Sequence, residues 1–229
     1  MDDKVLLDLS SDYLISSFGQ TTGTGLAELL GGSISHDRIQ RLLSKQDFTS
    51  ADLGQLVKPP VRAIQQTDGV LIVDDSIAEK PYTDENDLVC WHYDHAHDGQ
   101  VNGINFLSAL YPRQTLALPV GFRVVAKTEY DTDKKDGKTK RRSAVSKNDH
   151  YQSLLRQAKH NQIPFRWVLN DVWYASADNM LFVKPALKAD FILPLKANRK
   201  VALSAEHKQQ GRYVRLDPVL LEAGIGQVI

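Results

Sequence analysis

Four apolar residues in a row, Val70-Leu71-Ile72-Val73, break off abruptly on Asp74-Asp75-Ser76. A short run of this kind, mostly β-branched, is a buried strand rather than a helical turn. The pattern returns at Phe165 to Leu169, a second strand that ends on Asn170-Asp171. Between the two lie strands at Ile104 to Tyr111 and Leu116 to Lys127, turned at Pro112-Arg113-Gln114. A helix follows over Lys147 to Asn161, with Tyr151, Leu154, Leu155 and Ala158 at helical spacing. A helix from Ser176 to Leu187 and a strand from Phe191 to Leu195 complete the series.

Three strands, then helix, strand, helix, strand, is an order similar to that of the ribonuclease H-like fold, a mixed five-stranded sheet in an α/β chain. In that architecture the first three strands form a meander and the fourth lies parallel to the first. The carboxyl ends of strands one and four become neighbours, where open α/β sheets gather their ligands. Asp75 and Asp171 fall at those ends. Two adjacent carboxylates repel unless a cation lies between them. Hard oxygen donors with room for water and phosphate suit Mg2+ or Mn2+, and such ions serve phosphodiester chemistry. A single strand-end Asp is ordinarily a turn or helix cap; the strand order is what makes a pair of them.

The first sixty residues read as short helices. Thr24 is placed to cap one bearing Leu26, Leu29 and Leu30, closed by Gly31-Gly32. Ser35 is placed to cap the next, with Ile39, Leu42 and Leu43 inward and Arg38, Arg41 and Lys45 outward. This fits a helix-turn-helix, although a plain helical subdomain accounts for it at least as well. A third helix from Thr49 is expected to stop at Lys58-Pro59-Pro60. The boundaries that follow are a helical, DNA-binding candidate over 1–67, a core over 68–198, and the opening of a β-rich insertion over 199–229.

Lys+Arg and Asp+Glu both number 28, a balance that argues against a dedicated nucleic-acid binder. The charge is segregated, however. Lys134 to Arg142 is strongly basic, and acids gather around Asp74, Asp75 and Asp84 to Asp98. Lys138, Lys140, Arg141 and Arg142 either track phosphates or form a solvated connection. The polar stretch from Asp75 to Asn102 is long for a plain connection and reads as a functional loop. Within it, His92-Tyr93-Asp94-His95-Ala96-His97-Asp98 fails a metallo-hydrolase pattern, because Gly99 and Gln100 stand where Asp and His would be needed. One cysteine, Cys90, excludes an internal disulfide and points to a reducing compartment, the cytosol. No run approaches the roughly 18 apolar residues of a membrane helix.

The motifs Val73-Asp74-Asp75-Ser76, Glu79 to Asn86, Trp91-His92-Tyr93-Asp94-His95, Val101 to Asn105, Leu169 to Tyr174 and Leu195 to Arg199 carry a resemblance. From about Leu26 onward the chain resembles the DDE superfamily endonucleases of bacterial insertion sequences. The resemblance implies DNA transposition by a ribonuclease H-like core with Mg2+ or Mn2+, acting on double-stranded transposon ends and target in the bacterial cytoplasm at the nucleoid; a homodimer is compatible with it. Asp75, followed by Ser76, matches the first catalytic and metal-binding Asp better than Asp74; Asp171, with Tyr174 after it, matches the second. The third acid, a Glu within Tyr-x-x-Arg-x-x-x-Glu, has no match. Glu206 has a tolerable spacing from Asp171, but Gly211 to Leu216 follows it as a strand. The chain is therefore expected to be the front part of a transposase, truncated before the third acid and unable alone to cleave or join DNA. The alternative is an inactive DNA-binding fragment, acting as an inhibitor or left as a pseudogene remnant.

Overall fold

A computed structural model of the chain describes all residues but 20, 46, 95–97, 133–136, 138 and 217–229. They fall into two units, Met1–Thr49 and Ser50–Ile229. The first holds helices α1 (Asp3–Ser16), α2 (Gly23–Leu29) and α3 (His36–Leu43) around Leu6, Leu26, Ile34 and Ile39. Thr22 caps α2, accepting from the Gly25 N–H at 2.9 Å; Thr24, the expected cap, lies inside the first turn. Gly31 and Gly32 end α2 at φ 63° and 72°, the left-handed region that glycine enters without a Cβ clash. Leu29 and Leu43, expected inward, are exposed, because helices of two turns present only a narrow apolar stripe.

The second unit opens with α4 (Ser50–Ile64), which runs through Pro59 and Pro60 instead of stopping there. Val57 and Val61 are buried in the main core on either side of the prolines, while Gln55 and Leu56, whose carbonyls lose their donors, lie on the exposed side. Packing against the sheet thus offsets a penalty of about 3 kcal/mol for an interior proline.

The sheet is built on β1 (Val70–Glu79), β2 (Val89–Asp94), β3 (Gly99–Arg113) and β4 (Leu116–Val124). Next come β5 (Glu129–Thr132), β6 (Thr139–Arg142), α5 (Lys147–His160), β7 (Trp167–Asn170), α6 (Ala177–Leu181) and β8 (Asp190–Ile192). A π turn over Phe182–Ala186 extends α6. β9 (Lys200–Val201), α7 (Ala205–Gln209) and β10 (Val214–Arg215) follow, with β9 and β10 paired antiparallel.

β1 is central, antiparallel to β3 on one side and parallel to β7 on the other, with β8 parallel beyond β7. The far edge of β3 serves two partners, β2 along Gly99–Ile104 and β4 along Phe106–Arg113. Strands β4-β3-β1-β7-β8 are the expected ribonuclease H-like meander with its parallel return, and β2 is a sixth strand. Much of the stretch expected to be a loop before Asn102 is therefore strand. β3 continues to offer a ladder from Ser76↔Phe106 to Glu79↔Gly103, and a half-solvated antiparallel ribbon accepts polar residues. The described end of the basic segment, Thr139–Arg142, is likewise a strand, β6, paired antiparallel with β5.

Burial alternates along the central strands. Leu71, Val73, Leu107, Ala109, Tyr111 and Val168 are buried, and Val70, Ile72, Phe106, Leu110 and Leu169 only half-buried. The buried side meets Val57 and Val61 of α4 and Tyr151, Leu154, Leu155 and Ala158 of α5. A capping box fixes the start of α5: Ser146 Oγ accepts from the Asp149 N–H, and the Asp149 carboxylate accepts from the Ser146 N–H.

Candidate functional site

The parallel pairing of β1 with β7 ends at Val73↔Asn170, while β1 runs on with β3. Asp75 therefore lies inside β1 rather than at its end, two residues past the point where the parallel strands part. Strand alternation sends its side chain to the helix-covered side, with Leu71 and Val73. There it accepts three hydrogen bonds. The Tyr174 hydroxyl donates to Oδ1 at 3.1 Å; Lys147 Nζ at 2.5 Å and Asn105 Nδ2 at 3.2 Å donate to Oδ2. Burial alone would raise this carboxyl, but Lys147, Asn105 and Tyr174 together hold it below the usual carboxylate range. Burial first, then the Asp75 charge, push the Tyr174 phenol upward, so it stays a donor. Its ring stacks on Tyr151 at 5.1 Å between centroids, and the Tyr151 hydroxyl donates to Asn170 Oδ1 at 3.0 Å. An aromatic pair thus ties the end of β7 to Asp75.

Asp171 caps the 3-10 turn Val172–Tyr174, one oxygen accepting from the Val172 N–H at 2.5 Å. Asp74 follows Val73 and Asp171 follows Asn170, so these two are register neighbours across the parallel strands. Asp74 accepts from the Asp75 N–H at 2.9 Å. Burial raises its pKa, and the charges of Asp75 and Asp171 push the same way, with the hydrogen bond from Asp75 opposing. The structure thus makes Asp74 an electrostatic neighbour of both acids chosen from sequence.

A polar strip continues along the covered side. His92, expected in a loop, is a buried residue of β2, opposite Val101 and on the same side as Asn105. Burial, then Lys127 and Lys147, push its imidazole down to about 4, so it is neutral at physiological pH. Its ring bonds to the backbone of Gly103, where a Cβ would come within 2.5 Å of the Ala78 oxygen. His92 Nε2 and Asn105 Oδ1 are buried and have no partner among the described residues. His95 and His97 lie outside the described residues.

An ionised Asp75, the orphaned oxygen of Asn105 beside it, and acids whose mutual repulsion a cation would relieve are hard donors of the kind that suits Mg2+ or Mn2+. Among the described residues no three His, Cys, Asp or Glu side chains form a group that could hold a metal ion. Glu206 stands exposed on α7, between the paired strands β9 and β10. Sequence reasoning missed Lys147 and Asn105. The available signals were a polar residue within the apolar alternation of β3 and a cation directly after the capping Ser146.

The basic candidates differ in their surroundings. Arg38 donates to the Met1 carbonyl at 2.6 Å and lies 3.4 Å from Asp3. Arg41 is exposed beside a shallow depression lined by Asp37, Gln40 and Ser44. Arg141 is held on Asp87 at 2.7 Å with its guanidinium 5.1 Å over the Tyr130 ring. Lys140 and Arg142 are exposed on the same hairpin, Arg142 at 4.0 Å from Asp131. Lys138 lies outside the described residues.

Residues 6–217 match the family model described as DDE superfamily endonuclease. No curated protein matches the chain. Among solved structures it is similar to the Drosophila P element transposase strand transfer complex, at 11% identity and a TM-score of 0.40, covering 80% of this chain and 36% of that one. It is also similar to the Mos1 strand transfer complex, at 12% identity and a TM-score of 0.30, covering 83% of this chain and 57% of that one. For the Mos1 mariner paired end complex with Mn the values are 12%, 0.27, 83% and 58%. The chain thus spans between about a third and three fifths of the chains it resembles.

Proposed function

For a chain that belongs to the DDE superfamily endonucleases, we propose metal-dependent DNA strand cleavage and strand transfer, the chemistry of DNA transposition, at a site built on Asp75 and Asp171. The observation that carries this reading is Asp75 itself. It is kept ionised by donors from β3, α5 and the turn after β7, where β1 parts from its parallel neighbour. In this reading Asp75 and Asp171 supply the carboxylate oxygens for Mg2+ or Mn2+. Bound there, the metal would supply Lewis acidity toward a phosphodiester and a more acidic attacking hydroxyl. Asn105 and Tyr174 fix the rotamer of Asp75, and the paired strands hold both acids on a rigid frame.

Double-stranded DNA is the partner in this proposal, gripped at phosphates by Arg41, Lys140 and Arg142, with Arg38, Arg141 and Lys138 adding charge. Two copies meeting as a homodimer would bring two transposon ends together. No helix among the described residues is long and apolar enough to cross a membrane.

The test is nicking of supercoiled plasmid carrying candidate element ends, with Mg2+ or Mn2+. Metal-dependent nicking that disappears in both Asp75→Ala and Asp171→Ala supports the site; nicking that survives either substitution overturns it. A second reading, a DNA binder that does not cut, is favoured by the lack of a third acid grouped with these two among the described residues. It predicts salt-sensitive DNA binding with the plasmid left intact.

A further inference from the structure

The three donors on Asp75 are not alike. Asn105 and Tyr174 are neutral and buried, 0% and 1% exposed. Lys147 is the charged one, and its side chain is 46% exposed against 20% for Asp75. Its Nζ lies 2.5 Å from Oδ2, the oxygen that also accepts from Asn105. Lys147 is the first residue of α5, and the Ser146–Asp149 capping box fixes its backbone. Its backbone is therefore anchored while its half-exposed side chain carries the head group on a flexible four-carbon stem.

A carboxylate oxygen with an ammonium at hydrogen-bond distance is not open to a divalent cation, because two positive charges on one oxygen repel strongly. We propose that Lys147 is the resident counter-cation of Asp75. In the metal-free protein it holds the carboxylate in place, and it gives up Oδ2 when a divalent ion arrives, swinging toward solvent. Metal affinity is then set by an exchange of cations rather than by filling an open site. This inference rests on the metal-binding reading of Asp75 and Asp171, and it makes Lys147 a positioning residue.

The test measures Mn2+ binding to the full chain by the EPR signal of free Mn2+, without DNA. Lys147→Met, which keeps the stem and removes the charge, should bind about 10-fold tighter than wild type, and Lys147→Arg should stay within about 3-fold. In parallel, the side-chain NMR signals of Lys147 should shift saturably with Mg2+ in the wild type and stay still in Asp75→Asn. If Lys147→Met does not fold, as judged by its thermal transition, Lys147→Gln takes its place. Binding by the uncharged variant no tighter than wild type, or Lys147 signals indifferent to Mg2+, overturns the proposal. Wild-type binding that Asp171→Asn abolishes, with no gain in Lys147→Met, sinks this inference alone. No binding in any variant sinks the metal-site reading as well.

Discussion

The two sides of the sheet around β1 are built from alternating residues of the same strands and differ in almost everything else. On one, Leu71, Val73 and Leu107 are fully buried under α4 and α5, and the row runs out to Asp75 with its three side-chain donors. On the other, Ile72, Phe106 and Leu110 are half-buried, and the row runs out to Asp74. Asp74 accepts from the backbone N–H of Asp75, the residue next to it in sequence. One side therefore presets a carboxylate with packed side chains; the other leaves Asp74 to burial and to the charges of Asp75 and Asp171, all of which raise its pKa. The helices that cover a sheet also determine which of two adjacent aspartates is held ready.

Substitutions on the two sides should separate them. Leu107→Ala should cost about 3 kcal/mol of unfolding free energy in urea, and the half-buried Leu110→Ala about 1 kcal/mol. Equal losses would mean that the sides are packed alike. Next in size, Asp75→Ala should lower metal-dependent nicking by about 100-fold or more, whereas Asp74→Asn should change it only several-fold. A larger loss at Asp74 would move the first metal ligand to the open side. Tyr174→Phe keeps the ring stack and removes one donor from Asp75. About a 10-fold weaker metal-dependent activity is expected, with thermal stability shifting little; an unchanged rate would make the hydroxyl dispensable.

The smallest effect concerns pH. The His92 imidazole is pushed from 6.5 down to about 4, so the fold favours its neutral form. That contribution is fully present above the unfolded pKa near 6.5 and is lost as pH falls toward 4. Urea midpoints should decline over this window, and His92→Gln should flatten the decline. A slope identical in both proteins would place the titration elsewhere.

The strand order was legible because a buried strand needs an unbroken apolar run, but Asp75, read as a strand end, lies inside β1 because pairing with β3 carries the strand on. The covered side of the site was not legible. Asn105 and Lys147 reach Asp75 only through the register Ile77↔Asn105 and the direction of the first turn of α5, and no local pattern encodes either. The hairpin extension was misread as a loop because pairing with β3, rather than the preference of its own residues, makes it a strand. The helix through Pro59-Pro60 was missed for a similar reason. Its two buried valines count only once there is a sheet to bury them against.

The parallel register that joins Val70 to Trp167 spans most of the second unit. Antiparallel neighbours such as β3 and β4 can close soon after they are made, but β1 must wait for β7 to leave the ribosome before its other edge has a partner. Pulse-labelled hydrogen exchange during refolding should accordingly protect the β3–β4 amides before those shared by β1 and β7. Until that last pairing, Tyr174 cannot reach Asp75, and the nascent chain carries its acids apart.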